Sequence, residues 1–208
     1  MSPPTSRSID YYFSIHSPWA FIGYDAFREV ARRHGARINF RPVLLGELFA
    51  DTGGLPLARR HPARQRYRLV ELKRWRAARG LDFHLSPAHW PFDTGPADRL
   101  IIAAQIAGHD VAPLVGRLGA GVWQRQENLA DPAVLAAILA ELGLPAALLE
   151  AADGDRARAI YQTNHDDAVA ADVFGSPSYV LDGEVFWGQD RIDHLDAALS
   201  SGRAPLTP

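Results

Sequence analysis

The chain of 208 residues contains no cysteine. This absence excludes disulfide bonds, thiolate metal sites and catalysis by a thiol of the protein's own. Thiol chemistry at this protein would therefore need a sulfur brought by another molecule.

The chain also lacks an excess of basic charge and a long hydrophobic run. Its 22 Lys and Arg residues stand against 24 Asp and Glu, a formal net charge of −2, which argues against generic nucleic-acid binding. No stretch approaches the length of a membrane span, and the polar start MSPPTSRS lacks the apolar region of a signal peptide. We therefore expect a cytoplasmic protein with a small-molecule partner and with no nucleic-acid or membrane partner.

The first 45 residues have the pattern of a βαβ unit. Residues 9–15 alternate and are rich in aromatic and β-branched side chains, which predicts a strand. Residues 18–34 have apolar side chains at helical spacing and end at Gly35, and residues 37–45 predict a second strand. The crossover between two such strands is expected to be right-handed, with the strands parallel.

The middle of the chain has a different pattern. Between about Glu47 and Asp153 we find no convincing strand, whereas four segments carry apolar residues at a spacing of three and four and are punctuated by Gly or Pro. This pattern predicts a block of helices. A further helix is predicted from Asp155 through Val173.

The last third of the chain predicts a hairpin and a helix. SYVLDGEVFWG contains two short strands around the turn dipeptide Asp182-Gly183. The segment QDRIDHLDAALS closes the chain as a helix, with Asp190 as its expected N-cap.

Without the helical block, the order of elements is that of thioredoxin. We therefore predict an α/β protein with a thioredoxin-like fold and an all-helical insertion domain. Residues 1–48 and 154–208 would form the thioredoxin-like domain, and residues 49–153 the insertion. In this arrangement Pro177, in FGSPSYV, precedes the third strand and is expected to be cis.

The segment HSPWAFIG contains the first candidate for chemistry. Ser17 is well suited to cap the first helix and Pro18 to begin it, at the position where a thioredoxin-like protein normally has a cysteine pair. Capping alone is the more common role of such a serine. The alternative is that the Ser17 hydroxyl and the helix N-terminus stabilise the thiolate of a bound cofactor.

Two further segments would lie beside Ser17 in this fold. The backbone of Ser176, before Pro177, can offer a donor and an acceptor to an extended peptide. Gln189 and Asp190 stand at the start of the last helix, where they could meet the carboxylate and the ammonium group of a ligand. Together these residues predict a groove for a short thiol peptide with an amino-acid head group.

Basic residues cluster in ARRHPARQRYRLVELKRWRAAR, where nine of them face Glu71 alone. A solvated helix face is the usual explanation. A functional one is a positive lip that attracts an anionic substrate, with Arg64 as a candidate ligand contact. The eight histidines lack metal-binding spacing and no phosphate loop is present, so we predict no metal site.

The chain resembles the bacterial 2-hydroxychromene-2-carboxylate isomerases, which are relatives of the kappa-class glutathione transferases in the DsbA-like thioredoxin branch. The resemblance is carried by DYYFSIHSPWAFIG, FRPVLLGELFADTG, HWPFD, VWQRQENLADPAVLAAIL and VFGSPSYVLDGEVFWGQDRIDHL. It implies a homodimer that binds glutathione and an aromatic substrate. Gly54, Arg64 and Asp93 differ from the residues common at these positions in relatives.

The resemblance also implies roles for individual residues. Ser17 would be the catalytic residue that activates the glutathione sulfur. Ser176 and Pro177 would hold the cysteinyl unit, and Gln189 and Asp190 the γ-glutamyl end. Arg64, at a position where relatives often have Lys, stays a candidate cofactor contact from the basic cluster.

The activity implied is conversion of 2-hydroxychromene-2-carboxylate, or a similar aromatic catabolite, to trans-o-hydroxybenzylidenepyruvate. Reversible addition of the glutathione thiolate would open the ring, allow rotation and then regenerate glutathione, with no net redox step. Two alternatives stay open. One is a kappa-like glutathione transferase that releases a conjugate, and the other is a non-catalytic protein that binds glutathione or a similar thiol.

Overall fold

The structure is a computed structural model that describes residues 7–207. Its strands are β1 (Ser8–Phe13), β2 (Arg37–Pro42), β3 (Ser178–Leu181) and β4 (Glu184–Trp187). Its helices are α1 (Pro18–Arg33), α2 (Leu45–Thr52), α3 (Pro62–Ala78), α4 (Gly95–Ile106), α5 (Ala112–Trp123), α6 (Pro132–Glu141), α7 (Leu148–Asp153), α8 (Asp155–Ala170) and α9 (Ile192–Ser201). Short 3₁₀ turns occupy Leu57–Arg59 and Gln189–Arg191.

The four strands form one mixed sheet in the order β2-β1-β3-β4. β1 is parallel to β2 and antiparallel to β3, and β3 is antiparallel to β4. This arrangement, with helices on the sheet and a block of helices between β2 and α8, confirms the predicted thioredoxin-like α/β fold with a helical insertion.

The alternation of β1 places aromatic side chains on both faces of the sheet. On one face Tyr11 stacks on Phe13 and Tyr179, with ring centroids 4.5 and 5.5 Å apart, and Phe27 of α1 lies 4.5 Å from Tyr179. On the other face Tyr12 belongs to a smaller core with Leu48 and Val173, among others. The sheet therefore holds α1 by a large aromatic core.

The hairpin predicted at Asp182-Gly183 is confirmed. Both residues have positive φ, +52° and +88°, as a two-residue turn with the twist of the flanking strands requires. Leu181 pairs with Glu184 at its base.

Three predicted boundaries shift. β1 covers residues 8–13 rather than 9–15, and β2 ends at Pro42 rather than at residue 45, because Leu45 already begins α2. α8 ends at Ala170 rather than at Val173, since Asp172 adopts a left-handed φ of +56° that a helix cannot contain.

The division into residues 1–48 with 154–208 and residues 49–153 stays a prediction. The main core contains side chains from both parts, such as Phe27 and Leu195 from the first and Leu100 and Trp123 from the second. Across residues 7–207, no helix is both long and apolar enough to cross a bilayer.

Candidate functional site

Helix α1 begins as its sequence predicts. Ser17 is the N-cap, its hydroxyl oxygen accepts a hydrogen bond of 3.3 Å from the Ala20 N–H, and Pro18 occupies the first turn. Pro18 has no N–H to offer, so the first turn presents few backbone donors and the Ser17 hydroxyl dominates its chemistry. Ser17 is 3% exposed.

The loop before β3 is fastened to this helix start. The Ser176–Pro177 peptide bond is cis, as predicted. The Ser17 hydroxyl donates to the Ser176 carbonyl at 2.8 Å, and the Ser14 N–H donates to the Ser176 hydroxyl at 2.9 Å. The structure therefore brings Ser17, Ser176 and Pro177 together. In this state the single hydroxyl hydrogen of Ser17 is directed at a protein carbonyl.

His16 ties the helix start to the helical insertion, a role the sequence did not reveal. Its Nε2 accepts a hydrogen bond of 3.1 Å from the Phe92 N–H, and its carbonyl accepts one of 3.1 Å from the Trp90 indole N–H. Burial lowers the pKa of His16 to about 4, because the charged imidazolium loses its hydration. The ring is therefore neutral and can accept the hydrogen bond at physiological pH.

A groove of about 690 Å³ lies beside this helix start. Its lining comes from the approach to α3 and α3 itself, from the end of β4 and the following turn, and from one residue each of α1 and the cis-proline loop. The lining residues are Trp19, Arg60, Ala63, Arg64, Tyr67, Arg68, Glu71, Trp75, Ser176, Trp187, Gly188, Gln189, Asp190 and Arg191. The groove thus brings Arg64, Ser176, Gln189 and Asp190 to one place. Ser17 contributes through its hydrogen bond to Ser176 and is not itself in the lining.

Gln189 is held firmly at the base of the groove. It is 2% exposed, and its Oε1 accepts a hydrogen bond of 3.3 Å from Nη2 of Arg79. A Cβ at Gly23 of α1 would lie 2.5 Å from Cβ of Gln189, so only glycine at position 23 permits this approach. With its oxygen engaged by Arg79, the amide of Gln189 has its NH₂ group left to offer a ligand.

Asp190 does not cap the last helix, so the predicted N-cap is wrong. It lies in the 3₁₀ turn, α9 begins two residues later, and the residue before α9, Arg191, makes no side-chain cap. The Asp190 carboxylate instead pairs with Arg191 at 2.9 Å. Gly188, with a φ of +100°, leaves the space that this carboxylate occupies. Because Asp190 does not have to satisfy helix N–H groups, it can exchange Arg191 for another cation.

The opposite wall carries a row of arginines, Arg60, Arg64 and Arg68, spaced four residues apart along the approach to α3 and the helix. Burial, with mutual repulsion, lowers the pKa of Arg60 and brings that of Arg68 to about 10. The carboxylates in the lining are already engaged, since Glu71 pairs with Arg74 and Asp190 with Arg191. Among the described ion pairs, none neutralises the row. The wall is therefore suited to an anion.

Three residues differ from those common in relatives, and two of them, Gly54 and Asp93, lie outside the groove lining. Gly54 follows the C-terminus of α2, where a Cβ would clash with the Phe49 ring. Asp93 accepts a hydrogen bond of 2.9 Å from the Gly95 N–H at the start of α4. Of the three departures, Arg64 is the one in the lining.

Sequence reasoning missed the aromatic part of the groove. Trp19, Tyr67, Trp75 and Trp187 supply its apolar surface. Their signal was weak, because aromatic residues at helical spacing are more often core. Trp187 is 52% exposed, however, and packs edge-on to Phe174 with ring centroids 4.7 Å apart. Large exposed aromatic side chains beside a cavity are a feature of ligand sites.

The mixed sheet, the cis-proline before β3 and the capped start of α1 define a protein of the thioredoxin fold. More specifically, residues 8–200 match the DsbA-like thioredoxin domain family, and the chain belongs to that family.

Curated relatives fall into two groups. The chain is 27% identical over 197 residues to 2-hydroxychromene-2-carboxylate isomerase of Sphingobium xenophagum, covering 93% of this chain and 98% of the relative. It is 26% identical over 218 residues to glutathione S-transferase kappa 1 of Caenorhabditis elegans, covering 98% and 95%. Among solved structures, a 2-hydroxychromene-2-carboxylate isomerase superposes with a TM-score of 0.81 at 22% identity, covering 93% of this chain and 95% of that one. The chain is thus related to both isomerases and glutathione transferases.

Proposed function

We propose that this protein is a glutathione-dependent isomerase of 2-hydroxychromene-2-carboxylate or a similar aromatic carboxylate. One observation carries the proposal: a groove of about 690 Å³ beside the capped start of α1 is lined by Arg64, Ser176, Gln189 and Asp190. The relatives of similar length named as isomerases support it.

The residues present fit glutathione. Asp190 offers a carboxylate for the ammonium group of the γ-glutamyl end, and Gln189 offers its NH₂ group to the adjoining carboxylate. Arg64 supplies a cation for the other carboxylate, and the Ser176 backbone lies where an extended peptide can pair with it. Glutathione, when bound, would supply a thiolate that adds reversibly to the conjugated substrate.

Ser17 must change partner to act on that thiolate. Its hydroxyl has one hydrogen, which the Ser176 carbonyl accepts in this structure. We propose that the hydroxyl rotates toward the sulfur on binding, while its oxygen keeps accepting from Ala20. The hydroxyl would then hold the sulfur as an anion by a charge-assisted hydrogen bond, aided by the helix dipole.

The charge of the groove favours an anionic second substrate. With Asp190 and Arg191 neutralising each other, and Glu71 paired with Arg74, the three arginines of the row remain. Glutathione with an ionised thiol has a net charge of about −2 at neutral pH, from two carboxylates, one ammonium and the thiolate. One positive charge is left over, which suits a monocarboxylate such as a chromene carboxylate better than a neutral electrophile.

Two alternatives have support of their own. The kappa relative, at 26% identity over nearly the full chain, supports a transferase that releases a glutathione conjugate. The bond from Ser17 to Ser176, which engages the hydroxyl hydrogen, supports a protein that binds glutathione without activating it.

The test is to mix hydroxychromene carboxylate with the protein, with and without glutathione, and to follow absorbance and product mass. An isomerase changes the absorbance only when glutathione is present and leaves the substrate mass unchanged. A product heavier by the mass of one glutathione would contradict the isomerase proposal and support the transferase alternative. If calorimetry shows that glutathione binds but no turnover is observed, the non-catalytic glutathione-binding protein is the alternative that is supported.

The proposal includes a homodimer in the cytoplasm. Exposed apolar side chains on α3 outside the groove lining, Leu69 at 39% and Val70 at 43%, support a partner surface there. Sedimentation equilibrium tests it, and a mass of one chain at micromolar concentration would contradict it.

A further inference from the structure

A second cavity, of about 300 Å³, lies between α1 and α5. We call it the crevice. Its lining consists of Tyr11, Phe13, Ile15, Ala20, Phe21, Ile22, Tyr24, Asp25, Ala26, Arg79, Leu81, Val115, Gly116, Gly119, Ala120 and Gln124. No described residue belongs to the linings of both the crevice and the groove. The crevice is therefore a separate place in the fold, and its function is not explained by the groove.

The walls of the crevice are mainly aromatic and aliphatic. Two glycines of α5 face rings of α1: a Cβ at Gly116 would lie 3.1 Å from Tyr24, and one at Gly119 would lie 3.3 Å from Phe21. Because α5 presents backbone rather than side chains at these positions, the Tyr24 and Phe21 rings pack directly against it. Apolar walls with few polar groups are typical of sites for small molecules, and a cavity of this size suits a single ring.

Arg79 supplies the main charge of the crevice, and its guanidinium is poorly satisfied. Nη2 donates to Oε1 of Gln189 at 3.3 Å, and Cζ lies 5.4 Å from the centre of the Trp75 ring. Nε is buried without a hydrogen-bond partner. Among the described ion pairs none includes Arg79, and its described partners are a neutral amide and an indole ring; Asp25 is the other charged residue of the lining. A half-buried cation in this state favours an anion nearby.

We propose that the crevice is a second binding site, for a small monocarboxylate with an apolar ring, and that its occupant acts on the groove through Arg79. The ring would lie among the apolar side chains that line the crevice between α1 and α5, with the carboxylate at the Arg79 guanidinium. Asp25 also lines the crevice, and its negative charge disfavours ligands with a second carboxylate.

Arg79 joins the two cavities physically. It lines the crevice, while its two partners, Gln189 and Trp75, line the groove. A carboxylate in the crevice would draw the guanidinium away from Gln189, whose bond to Arg79 is already long at 3.3 Å. If the groove binds glutathione, as proposed above, an occupied crevice should weaken glutathione binding severalfold, and glutathione should weaken the acid to the same extent.

The experiment titrates benzoate and phenylacetate into the full chain by calorimetry, with neutral benzamide as the matched control for charge. We expect each acid to bind at the crevice, with weaker or no binding of benzamide, and any additional acid bound by the cationic groove to be lost in Arg64→Met. Arg79→Met should weaken the acids at least tenfold. Ala120→Leu, which fills the crevice from α5, should abolish binding, and Ala26→Leu repeats this test from α1. Arg64→Met, a change confined to the groove, should leave acid binding at the crevice unchanged.

The outcomes separate this site from the groove. No binding of either acid at 10 mM would overturn the proposal. It would also fail if Arg64→Met weakened the acids while Ala120→Leu and Ala26→Leu did not, because the acids would then lie in the groove. Equal glutathione affinity with and without saturating acid would refute the coupling through Arg79. The acid titrations need no glutathione. They therefore test whether the crevice binds a monocarboxylate even if the function proposed for the groove is wrong.

Discussion

The two walls of the groove differ in how their polar groups are satisfied. On the wall formed by the cis-proline loop and the turn after β4, the groups pair with other parts of the protein: the Ser176 carbonyl with Ser17, Gln189 with Arg79, and Asp190 with Arg191. On the α3 wall, the row of Arg60, Arg64 and Arg68 has no carboxylate partner among the described ion pairs. The first wall therefore supplies a preformed geometry, and the second supplies charge that a ligand has to neutralise.

Of the substitutions considered, removing the Ser17 hydroxyl from the preformed wall should have the largest effect on turnover. Ser17→Ala removes the donor proposed to hold the thiolate, so glutathione-dependent turnover should fall by about one to three orders of magnitude. The lost cap should also cost about 1 kcal/mol of unfolding free energy. Steady-state kinetics and urea unfolding measure the two effects separately.

Ser17→Thr is the matched control, because it keeps a hydroxyl that can cap and donate. Ser17→Thr should retain more turnover than Ser17→Ala, and because it keeps the cap, its unfolding free energy should stay close to that of the unsubstituted protein. An unchanged rate in Ser17→Ala would remove Ser17 from the mechanism and leave it as a helix cap only.

His16 should make the contact between the start of α1 and the helical insertion sensitive to acid. Its pKa is about 4 in the folded chain and about 6.5 when unfolded, so the unfolded state binds more protons between these values. The stability that neutral His16 provides is present above pH 6.5 and is lost as the pH falls toward 4, by up to about 3 kcal/mol. Urea unfolding at pH 7 and pH 4.5 measures the loss.

His16→Gln is the control for this titration, since a glutamine oxygen can accept from Phe92 and does not titrate. Other titrating groups are common to both proteins and cancel in the difference. If both proteins lost the same stability between the two pH values, His16 would not be the acid-sensitive group.

The arginine row should respond to both mutation and salt. Arg68→Met removes a partly buried cation beside Trp90, 5.4 Å from its ring centre, and should raise KM for an anionic substrate about tenfold, the loss of one charge-assisted contact. Arg66→Met is the control, because Arg66 is an exposed arginine of α3 that lies outside the groove lining. Equal KM values in the two variants would show that the row does not bind substrate. Raising the ionic strength should reduce the difference in KM between the two variants only partly, because salt screens partly buried charges less than exposed ones.

Asp190→Asn should have the smallest effect. The Asp190 carboxylate is half-exposed and paired with Arg191, so losing its charge should weaken glutathione binding only severalfold, about 1 kcal/mol. Calorimetry measures it, and S-methylglutathione serves as the ligand control without an ionisable thiol. A change above a hundredfold would mean that Asp190 contributes far more than an exposed ion pair can.

Much of the fold was predictable because its signals are local. The capped start of α1 at Ser17, the hairpin at Asp182-Gly183 and the helical spacing of the middle segments depend on neighbouring residues. The misplaced cap shows the limit of such signals. Asp190 has the right residue type before a helix, but the turn that follows β4 delays α9 until Ile192.

The site was predictable only in part. The residue pattern and the resemblance singled out Ser176, Gln189 and Asp190, and all three line the groove with Arg64. Pro177, which the resemblance also implies, lies outside the lining. His16 and Arg79 could not be found in this way, because their partners, Phe92 and Gln189, are 76 and 110 residues away in the chain.

The sequence by itself determined that no thiol of the protein can react, that Ser17 caps α1, and where most of the strands and helices lie. These properties depend on composition and on contacts between near neighbours. Only the tertiary structure decided that the Ser17 hydroxyl meets the Ser176 carbonyl, that the α3 arginines face the groove without carboxylate partners, and that Arg79 stands between two cavities. Contacts across 100 residues or more depend on how whole elements pack, and no local pattern specifies them.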